Sequence, residues 1–362
     1  MSNAASKPEV SLADIDRKPA RIVRLIRLLS AGGAAYAIYK TQWKKVLTNY
    51  FTGPGRLSRI LMLIFALLNL KNMPFVWTYR LWHAIFFHNF IEKAPVLGPR
   101  ALYRPMISES HAPIMEIDYN IHKSNSTYFS DLDIARTHMA SYLLRLGLRK
   151  LDNNMATGLV LDDVTGKPRR GRFGIMLGAV HCSFRREILG YRGYEMWTRV
   201  LAWDRKWLYM VTHFVPKGVA RPTEYLDTRF GKLRTRKGAP ATANSAEAWK
   251  SKIHATAVSK YVFKLGRWTV HPAHILEGSE LLPERPGGWR SGPNQVGDEA
   301  DLGEVADDGS WDWKMIEKRR RAGMEFAQQF ANLDQLETWF DGADGGDGSA
   351  LGRFGLQKET WY

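Results

Sequence analysis

Residues 118–125 concentrate side chains that can bind and move protons. Asp118, Asn120 and His122 stand at alternate positions, and Asn125 follows three residues later. If the chain is extended here, the first three side chains share one face, because strand side chains alternate. A carboxylate and an imidazole in one site can activate water, and an amide can orient it. The spacing predicts an active site, with a polar turn before a helix as the structural alternative.

A long helix is predicted directly after this cluster. From 126 to about 148, apolar side chains recur every three or four residues, as on a buried helix face. Ser124 or Asn125 is the predicted N-cap. The first N–H groups of a helix lack partners within the helix, so this start can supply donors to an oxyanion. The predicted substrate-binding and oxyanion residues are Asn125, Ser126, Thr127 and Tyr128, with Tyr128 as a core or pocket-wall residue.

Strand patterns follow this helix. They are separated by turn residues, including a tight hairpin at Asp204–Arg205. A single helix can cover this many strands only if the sheet curls around it, so an α+β fold is predicted. The predicted strands are 172–188, 194–204, 206–215 and 255–270.

The element order and the polar cluster together resemble the hot-dog fold of the thioesterase-like superfamily. The stretch HKSNSTYFSDLDIART is similar to the fungal and animal group that includes thioesterase superfamily member six, which is 4-hydroxybenzoyl-CoA-thioesterase-like. The resemblance covers about 104–275 and implies a curled antiparallel sheet around one central helix. It also implies a homodimer with the site at its interface. Five residues fall in register with the family pattern, namely Asp118, Asn120, His122, Asn125 and Tyr128. Ile121 replaces the glycine that usually precedes the histidine.

The resemblance and the residues together predict an acyl-thioester hydrolase. It would release a free acid from acyl-CoA or from fatty or polyketide chains on a carrier protein, without a cofactor or metal. Asp118 would activate water or attack directly, His122 would relay the proton, and Asn120 would orient the water or the carbonyl. Two alternatives remain, a hot-dog enoyl-CoA hydratase, whose motif also contains Asp-x-Asn-x-His, and a non-catalytic membrane-associated acyl-binding protein.

Other reactive side chains have structural interpretations. Asp131 is a secondary candidate acid, but acids in the first turns of a helix also complement its dipole. Cys182 is the only cysteine, which excludes an intramolecular disulfide, and its apolar surroundings predict a small buried side chain. His271 and His274 have metal-like spacing without acid or cysteine partners, which predicts a loop or strand-end role.

The regions flanking the hot-dog domain have their own compositions. Residues 1–56 are basic, and 57–92 are apolar and aromatic, with a first run of about 14 residues that is short for a bilayer span. We therefore predict a segment that associates with the membrane interface, with a packed helical layer or a targeting region as alternatives. Residues 217–252 are a predicted insertion loop, and 276–362 a linker, a C-terminal helix and a mobile tail.

The net charge of +16 bears on partners and location. A basic surface can face anionic lipid, coenzyme A or an acidic carrier protein. Nucleic-acid-binding motifs are not found in the sequence, so no nucleic-acid partner is predicted. The predicted location is a membrane on the cytosolic face or in an organelle, with a soluble cytoplasmic or mitochondrial location as the alternative.

Overall fold

The computed structural model describes residues 29–30, 32–33, 36, 39–92, 97–220, 222, 224–227, 232–235, 251–290, 302 and 311–339. The predictions for the first 28 residues, for most of the insertion and for the tail therefore concern residues outside this set. Helices come first in the described chain, and a π-helical turn at Phe87–Ile91 follows them. These helices are α1 (Trp43–Thr52), α2 (Arg56–Leu68) and α3 (Val76–Phe86).

A six-stranded antiparallel sheet forms the body of the protein, in the order β1-β3-β4-β7-β2, with β8 paired to β7. A separate hairpin of β5 (Glu224–Asp227) and β6 (Lys232–Thr235) belongs to the predicted insertion. Since β2 pairs only with β7, it forms one edge of the sheet. The strands are β1 (Met106–His111), β2 (Phe173–Phe184), β3 (Gly193–Trp203), β4 (Trp207–Pro216), β7 (Ala255–Leu265) and β8 (Trp268–Val270).

The central helix, α4 (Thr127–Leu143), lies against one face of this sheet. Its residues Tyr128, Leu132 and Ala135 share a core cluster with side chains from β3, β4 and β7. The predicted hot-dog arrangement of a sheet around one helix is therefore present. The predicted helix end near 148 is wrong, because α4 stops at Leu143 and the helix α5 (Arg145–Asp152) starts after a break.

Two further details differ from the sequence-based expectation. The predicted strand 255–270 is divided, because the chain reverses at Gly266, whose φ is 61°. The predicted side-chain cap is absent from the start of α4, since Ser126 precedes the helix without a capping hydrogen bond. The short helix α6 (Asn154–Thr157) follows α5 in the chain, and the short helix α7 (Pro272–Gly278) follows β8.

The C-terminal helix, α8 (Trp313–Asn332), packs on the opposite face of the sheet from α4. Gly323 makes this approach possible, because a Cβ atom at this position would lie 2.2 Å from the carbonyl oxygen of Leu201 in β3. The glycine that weakens the helix in isolation is thus required by packing. Just after α8, Asp334 Oδ1 accepts a hydrogen bond of 2.6 Å from the buried Lys260 Nζ.

The N-terminal helices differ in how much they contact the domain. In the π-helical turn after α3, His88 Nε2 lies 2.8 Å from His138 Nδ1 of α4, and His88 Nδ1 lies 2.5 Å from Glu92 Oε2. By contrast, Leu57 and Met62 in α2 are 67% and 69% exposed. Among the described helices, none alone is long and apolar enough to cross a membrane, whereas α1 and α2, bent by 103°, reach the required length and composition only as a pair. The α3 region therefore packs on the domain, as the alternative of a packed helical layer expects.

Stability is expected to decrease as the pH falls from about 6.5 towards 4. Burial, with a smaller contribution from the charges of His88, His83 and Arg80, lowers the pKa of His138 from its usual 6.5 to about 4. Between these values the unfolded chain binds a proton that the folded chain does not, so unfolding becomes easier as the pH falls. Burial also lowers to about 4 the pKa values of His213, His271 and His274.

Urea unfolding midpoints across this pH interval measure the effect. The free energy of unfolding of the His138→Gln variant should fall less steeply with decreasing pH, because this variant takes up about one proton fewer on unfolding. A variant with the same pH slope as the wild type would contradict the role of His138.

Candidate active site

The polar cluster at 118–122 forms a tight turn. The Asp118 N–H donates to the His122 carbonyl at 3.0 Å, and the Ile121 N–H donates to the Asp118 carbonyl at 3.0 Å. Ile117 and Lys123 pair as an isolated antiparallel bridge at its base. The prediction of an extended strand with one shared face is therefore wrong. The physical reason is local, because the Asp118 side chain accepts a 2.9 Å bond from the Asn120 N–H, as Asx residues do in turns.

The turn nevertheless brings two of the three predicted catalytic residues together. Asp118 Oδ1 lies 3.5 Å from His122 Nδ1, and both side chains remain partly accessible to solvent. Asn120 is exposed at the tip of the turn, between Tyr119 and Ile121, and contacts Asp118 through its backbone N–H. The arrangement presents a carboxylate beside an imidazole to solvent, which suits activation of a water molecule.

Ile121 adopts a conformation that usually belongs to glycine. Its φ is 63°, a left-handed value at which a β-branched side chain is strained. The isoleucine that replaces the usual glycine before His122 therefore carries a local energetic cost.

We expect Ile121→Gly to stabilise the fold by about 1 kcal/mol, because relief of the left-handed strain exceeds the added chain entropy of glycine. Urea unfolding measures the change. Ile121→Ala is the matched control, since it also removes the exposed side chain but keeps the Cβ that causes the strain. Equal stabilities for the two variants would contradict this account.

The start of α4 offers fewer free donors than the sequence suggests. The Thr127 N–H donates to the Ser124 carbonyl at 3.0 Å, and the Tyr128 N–H donates to the Asn125 carbonyl at 3.4 Å. The Thr127 hydroxyl is also occupied, at 2.7 Å from the Ser124 carbonyl. Among the described residues no acceptor is found for the N–H groups of Asn125 and Ser126, which are both exposed. These two N–H groups are therefore the candidate oxyanion donors at this helix start.

Tyr128 is a core residue. It is 2% exposed, and its ring centroid lies 5.0 Å from those of Phe184 and Phe214. The core interpretation of Tyr128 is therefore confirmed, and its ring joins the first turn of α4 to the end of β2.

A buried charge network lies beneath the turn, and the sequence did not indicate it. Lys71 Nζ, from the segment between α2 and α3, lies 2.8 Å from Glu116 Oε1 and 2.8 Å from Asp131 Oδ2. Lys123 Nζ contacts the same two carboxylates, at 2.5 Å and 3.1 Å. Because Glu116 and Lys123 flank the turn, the network links the two ends of the turn that carries Asp118 and His122.

The charges of this network keep Asp131 ionised. Burial alone raises the pKa of Asp131, but Lys71 and Lys123 outweigh it, and the pKa falls to about 2. The Tyr194 hydroxyl and the Ser110 hydroxyl also donate to this carboxylate. With no exposed surface and all these partners, Asp131 cannot reach a substrate. The helix-dipole explanation was incomplete, but the preference for a structural role is consistent with these contacts.

The partners of Asp131 could be anticipated only weakly from the sequence. Lys71 interrupts two apolar runs, and a lysine among apolar residues needs a counter-charge if it is buried. No comparable apolar surroundings in the sequence indicate that Glu116 and Lys123 are buried. Burial lowers the pKa of the Lys71 ammonium against the opposing effects of Asp131 and Glu116.

The remaining candidates have structural roles. Burial raises the pKa of the Cys182 thiol to about 11, so it stays protonated at neutral pH and packs beside the Tyr128 cluster. His271 Nδ1 accepts a bond of 3.0 Å from the Ala273 N–H and caps α7, and His274 Nδ1 lies 2.9 Å from the Leu159 carbonyl. In the part of the chain that the structure describes, no three His, Cys, Asp or Glu side chains converge on a metal position.

Known proteins share this sequence over most of its length. The model of the thioesterase-like superfamily matches residues 112–247. The chain is 36% identical to thioesterase poxG of Penicillium oxalicum over 297 residues, 80% of this chain and 88% of that protein. It is 32% identical to the probable thioesterase atnL of Emericella nidulans over 331 residues, 88% and 96% of the two chains. The chain therefore belongs to the thioesterase-like superfamily.

Solved structures of low sequence identity are also similar. The structure of YbaW, a probable thioesterase from Escherichia coli, matches with a TM-score of 0.32 at 9% identity. It aligns with 49% of this chain and 97% of its own.

Proposed function

We propose that the protein hydrolyses acyl thioesters of coenzyme A or of a carrier protein. The observation that carries the proposal is the accessible Asp118–His122 pair, 3.5 Å apart, on a turn that directly precedes the central helix. The thioesterase relatives support the same reaction class.

The chemistry assigns a role to each side of the turn. Asp118 accepts a proton from water, and the water oxygen attacks the carbonyl carbon of the thioester. The N–H groups of Asn125 and Ser126 and the positive end of α4 stabilise the oxyanion. Asp118 passes this proton to His122. The carbon–sulfur bond then breaks, a free acid forms, and His122 delivers the proton to the thiolate.

Release of free thiol from saturated acyl-CoAs of increasing chain length tests the proposal. We expect turnover with at least one chain length. Hydration of a 2-enoyl-CoA without thiol release would identify the enoyl hydratase alternative instead. Acyl-CoA binding without any reaction would identify an acyl-binding protein.

We also propose a homodimer formed through the β2 edge. The strand reads FGIMLGAVHCSF, with no charge or proline, and Met176 and Leu177 are 52% and 42% exposed. Long apolar edges of this kind pair readily with another strand. Two copies of β2 can pair antiparallel about a two-fold axis, because each chain then presents the same edge to the other. Sedimentation of wild type and of Leu177→Lys tests it, with dimer and monomer as the expected results.

A membrane surface is the proposed partner of the α1–α2 face. The helix α2 has exposed apolar side chains, and α1 carries exposed basic residues such as Lys44 and Lys45. This combination suits an anionic interface. Flotation with vesicles tests the proposal. Binding to anionic vesicles that weakens when Leu61 and Phe65 are both changed to Ser would support it, and no binding to any vesicle would overturn it.

A further inference from the structure

The end of α2 contacts the backbone that leads into the catalytic turn. Asn69, which directly follows Leu68 at the end of α2, is fully buried. Its Oδ1 accepts a hydrogen bond of 2.9 Å from the Met115 N–H, and its Nδ2 donates at 2.9 Å to the Phe65 carbonyl. The Asn69 side chain therefore joins the last turn of α2 to the segment before the catalytic turn.

The segment that Asn69 contacts is short and continues directly into the catalytic turn. Met115 lies in a single 3₁₀ turn, Ile114–Glu116, and only Glu116 and Ile117 separate it from Asp118. The Glu116 carbonyl accepts a bond of 2.7 Å from the Ser124 N–H, which closes the base of the turn. A displacement of Met115 would therefore be transmitted to Asp118.

The two catalytic residues differ in how their backbone is supported. His122 pairs with Leu189 in the segment that follows β2, and the neighbouring Lys123 N–H donates at 2.8 Å to the Ile188 carbonyl. The side of the turn that carries His122 is thus attached to the domain by its own contacts. The side that carries Asp118 is attached through Met115, and hence through the end of α2.

Lys71 strengthens the same attachment. Its ammonium contacts the carboxylates of Glu116, before the turn, and of Asp131, in α4. Lys123 links the same two carboxylates, so it can replace part of the contribution of Lys71. Asn69 is therefore the better residue with which to test the attachment, because its bond to the backbone before the turn does not depend on charge.

We propose that Asn69 is a positioning residue for the catalytic turn. The inference rests on the proposed thioesterase function, and it places a functional residue outside the region 112–247 that matches the thioesterase-like superfamily. A misplacement of about 1 Å at a reacting group can lower the rate about 10²-fold. Asn69 holds the backbone before Asp118 without contact with the reacting atoms, so its effect should fall on kcat and not on KM.

The Asn69→Ser variant removes this contact with little other change. A serine hydroxyl can bond to the carbonyl four residues earlier, as Asn69 Nδ2 does with Phe65, but it is too short to keep the bond to Met115. We expect kcat for an acyl-CoA to fall about 10–10²-fold, with KM within about twofold of the wild-type value. Should this variant not fold, Asn69→Gly replaces it, because glycine is common where helices end.

Two further variants separate positioning from stability. Asn69→Asp keeps an oxygen for the Met115 N–H, so its kcat should stay near the wild-type value even where its unfolding midpoint is lower. Asn89→Ser is the matched control, since Asn89 Nδ2 donates at 2.8 Å to the Ile85 carbonyl, the same local bond that Asn69 makes. Among the described residues, Asn89 has no hydrogen bond to the segment before the turn, so its variant should keep wild-type kcat and KM.

A double-mutant cycle tests whether Asn69 acts through Asp118. Asn69→Ser is combined with Asp118→Asn, and kcat is measured at a temperature at which all the proteins are folded. If Asn69 positions the Asp118 carboxylate, its replacement should lower kcat much less in the Asp118→Asn background than in the wild type. Equal reductions in the two backgrounds, or an unchanged kcat in Asn69→Ser alone, would overturn the proposal.

Hydrogen exchange gives a readout that does not depend on turnover. The Asp118 and Ser124 N–H groups donate to the His122 and Glu116 carbonyls at the base of the turn. In Asn69→Ser, a peptide covering 116–125 should exchange about tenfold faster or more, whereas peptides from β3 and β4 should keep wild-type rates. Faster exchange in all peptides would indicate a general loss of stability and would overturn the positioning role.

The two readouts distinguish failure of this inference from failure of the proposed function. If the wild type hydrolyses no thioester, the proposed function fails, and hydrogen exchange at 116–125 still decides whether Asn69 holds the turn. If the wild type hydrolyses acyl-CoA and neither kcat nor exchange responds to Asn69→Ser, the thioesterase function stands and the positioning role is wrong.

Discussion

Replacement of Asp118 by Asn is expected to lower kcat for acyl-CoA hydrolysis by about 10²–10⁴-fold, the usual contribution of a positioned general base. In the wild type, Asp118 Oδ1 accepts a hydrogen bond of 2.9 Å from the Asn120 N–H. The amide oxygen of the variant can accept the same bond, so the turn keeps its shape. The loss should therefore appear in kcat, with an unfolding midpoint equal to that of the wild type. Thiol release and urea unfolding measure the two quantities.

Asp163→Asn is the matched control for this experiment. Its side chain is 87% exposed and lies in the loop before β2, away from the turn. The control should retain wild-type kcat. If Asp118→Asn does so too, water activation by this carboxylate is wrong and the catalytic group lies elsewhere.

Replacement of Lys71 by Met is expected to lower the free energy of unfolding by about 3–5 kcal/mol. Removal of one partner from a buried ion pair leaves the other charge uncompensated in a low-dielectric interior. Lys71 contacts both Glu116 and Asp131 at 2.8 Å. Without it, Lys123 and the more distant Arg80, whose Nη1 lies 3.5 Å from Asp131 Oδ1, would have to neutralise both carboxylates. Chemical denaturation of the full chain measures the change.

A second change separates charge from packing. Lys71→Met combined with Asp131→Asn removes one charge of each sign, so it should recover part of the stability that Lys71→Met alone loses. Lys45→Met, on an exposed face of α1, should change the stability by less than about 0.5 kcal/mol. Equal losses at Lys45 and Lys71 would contradict the importance of the buried network.

The parts of the fold that depend on local patterns were predictable. The central helix α4 and the strands β2, β3, β4 and β7 follow from apolar spacing within each segment. The hairpin after Asp204 was also visible, because turn residues separate two strongly apolar runs. The break after Leu143 was less visible, since the apolar period continues through it.

The geometry of the site was harder to predict. Asp118 and Asn120 fit both an alternating strand and an Asx turn, and the family pattern does not distinguish these possibilities. Ile121 was recognised as unusual, but its left-handed backbone is set by the chain reversal. The Lys71–Asp131 contact joins residues 60 positions apart in the chain, and no local pattern encodes such a pairing.

The Lys71 contacts also bear on how this chain can vary through evolution. The thioesterase-like match begins at residue 112, whereas Lys71 and Arg80, which both contact the Asp131 carboxylate, precede it. A domain separated from its N-terminal segment would retain two buried carboxylates with Lys123 as their nearby ammonium. The two regions are therefore expected to be inherited together, and an exchange of this segment between relatives should succeed only where the incoming segment supplies equivalent positive charges.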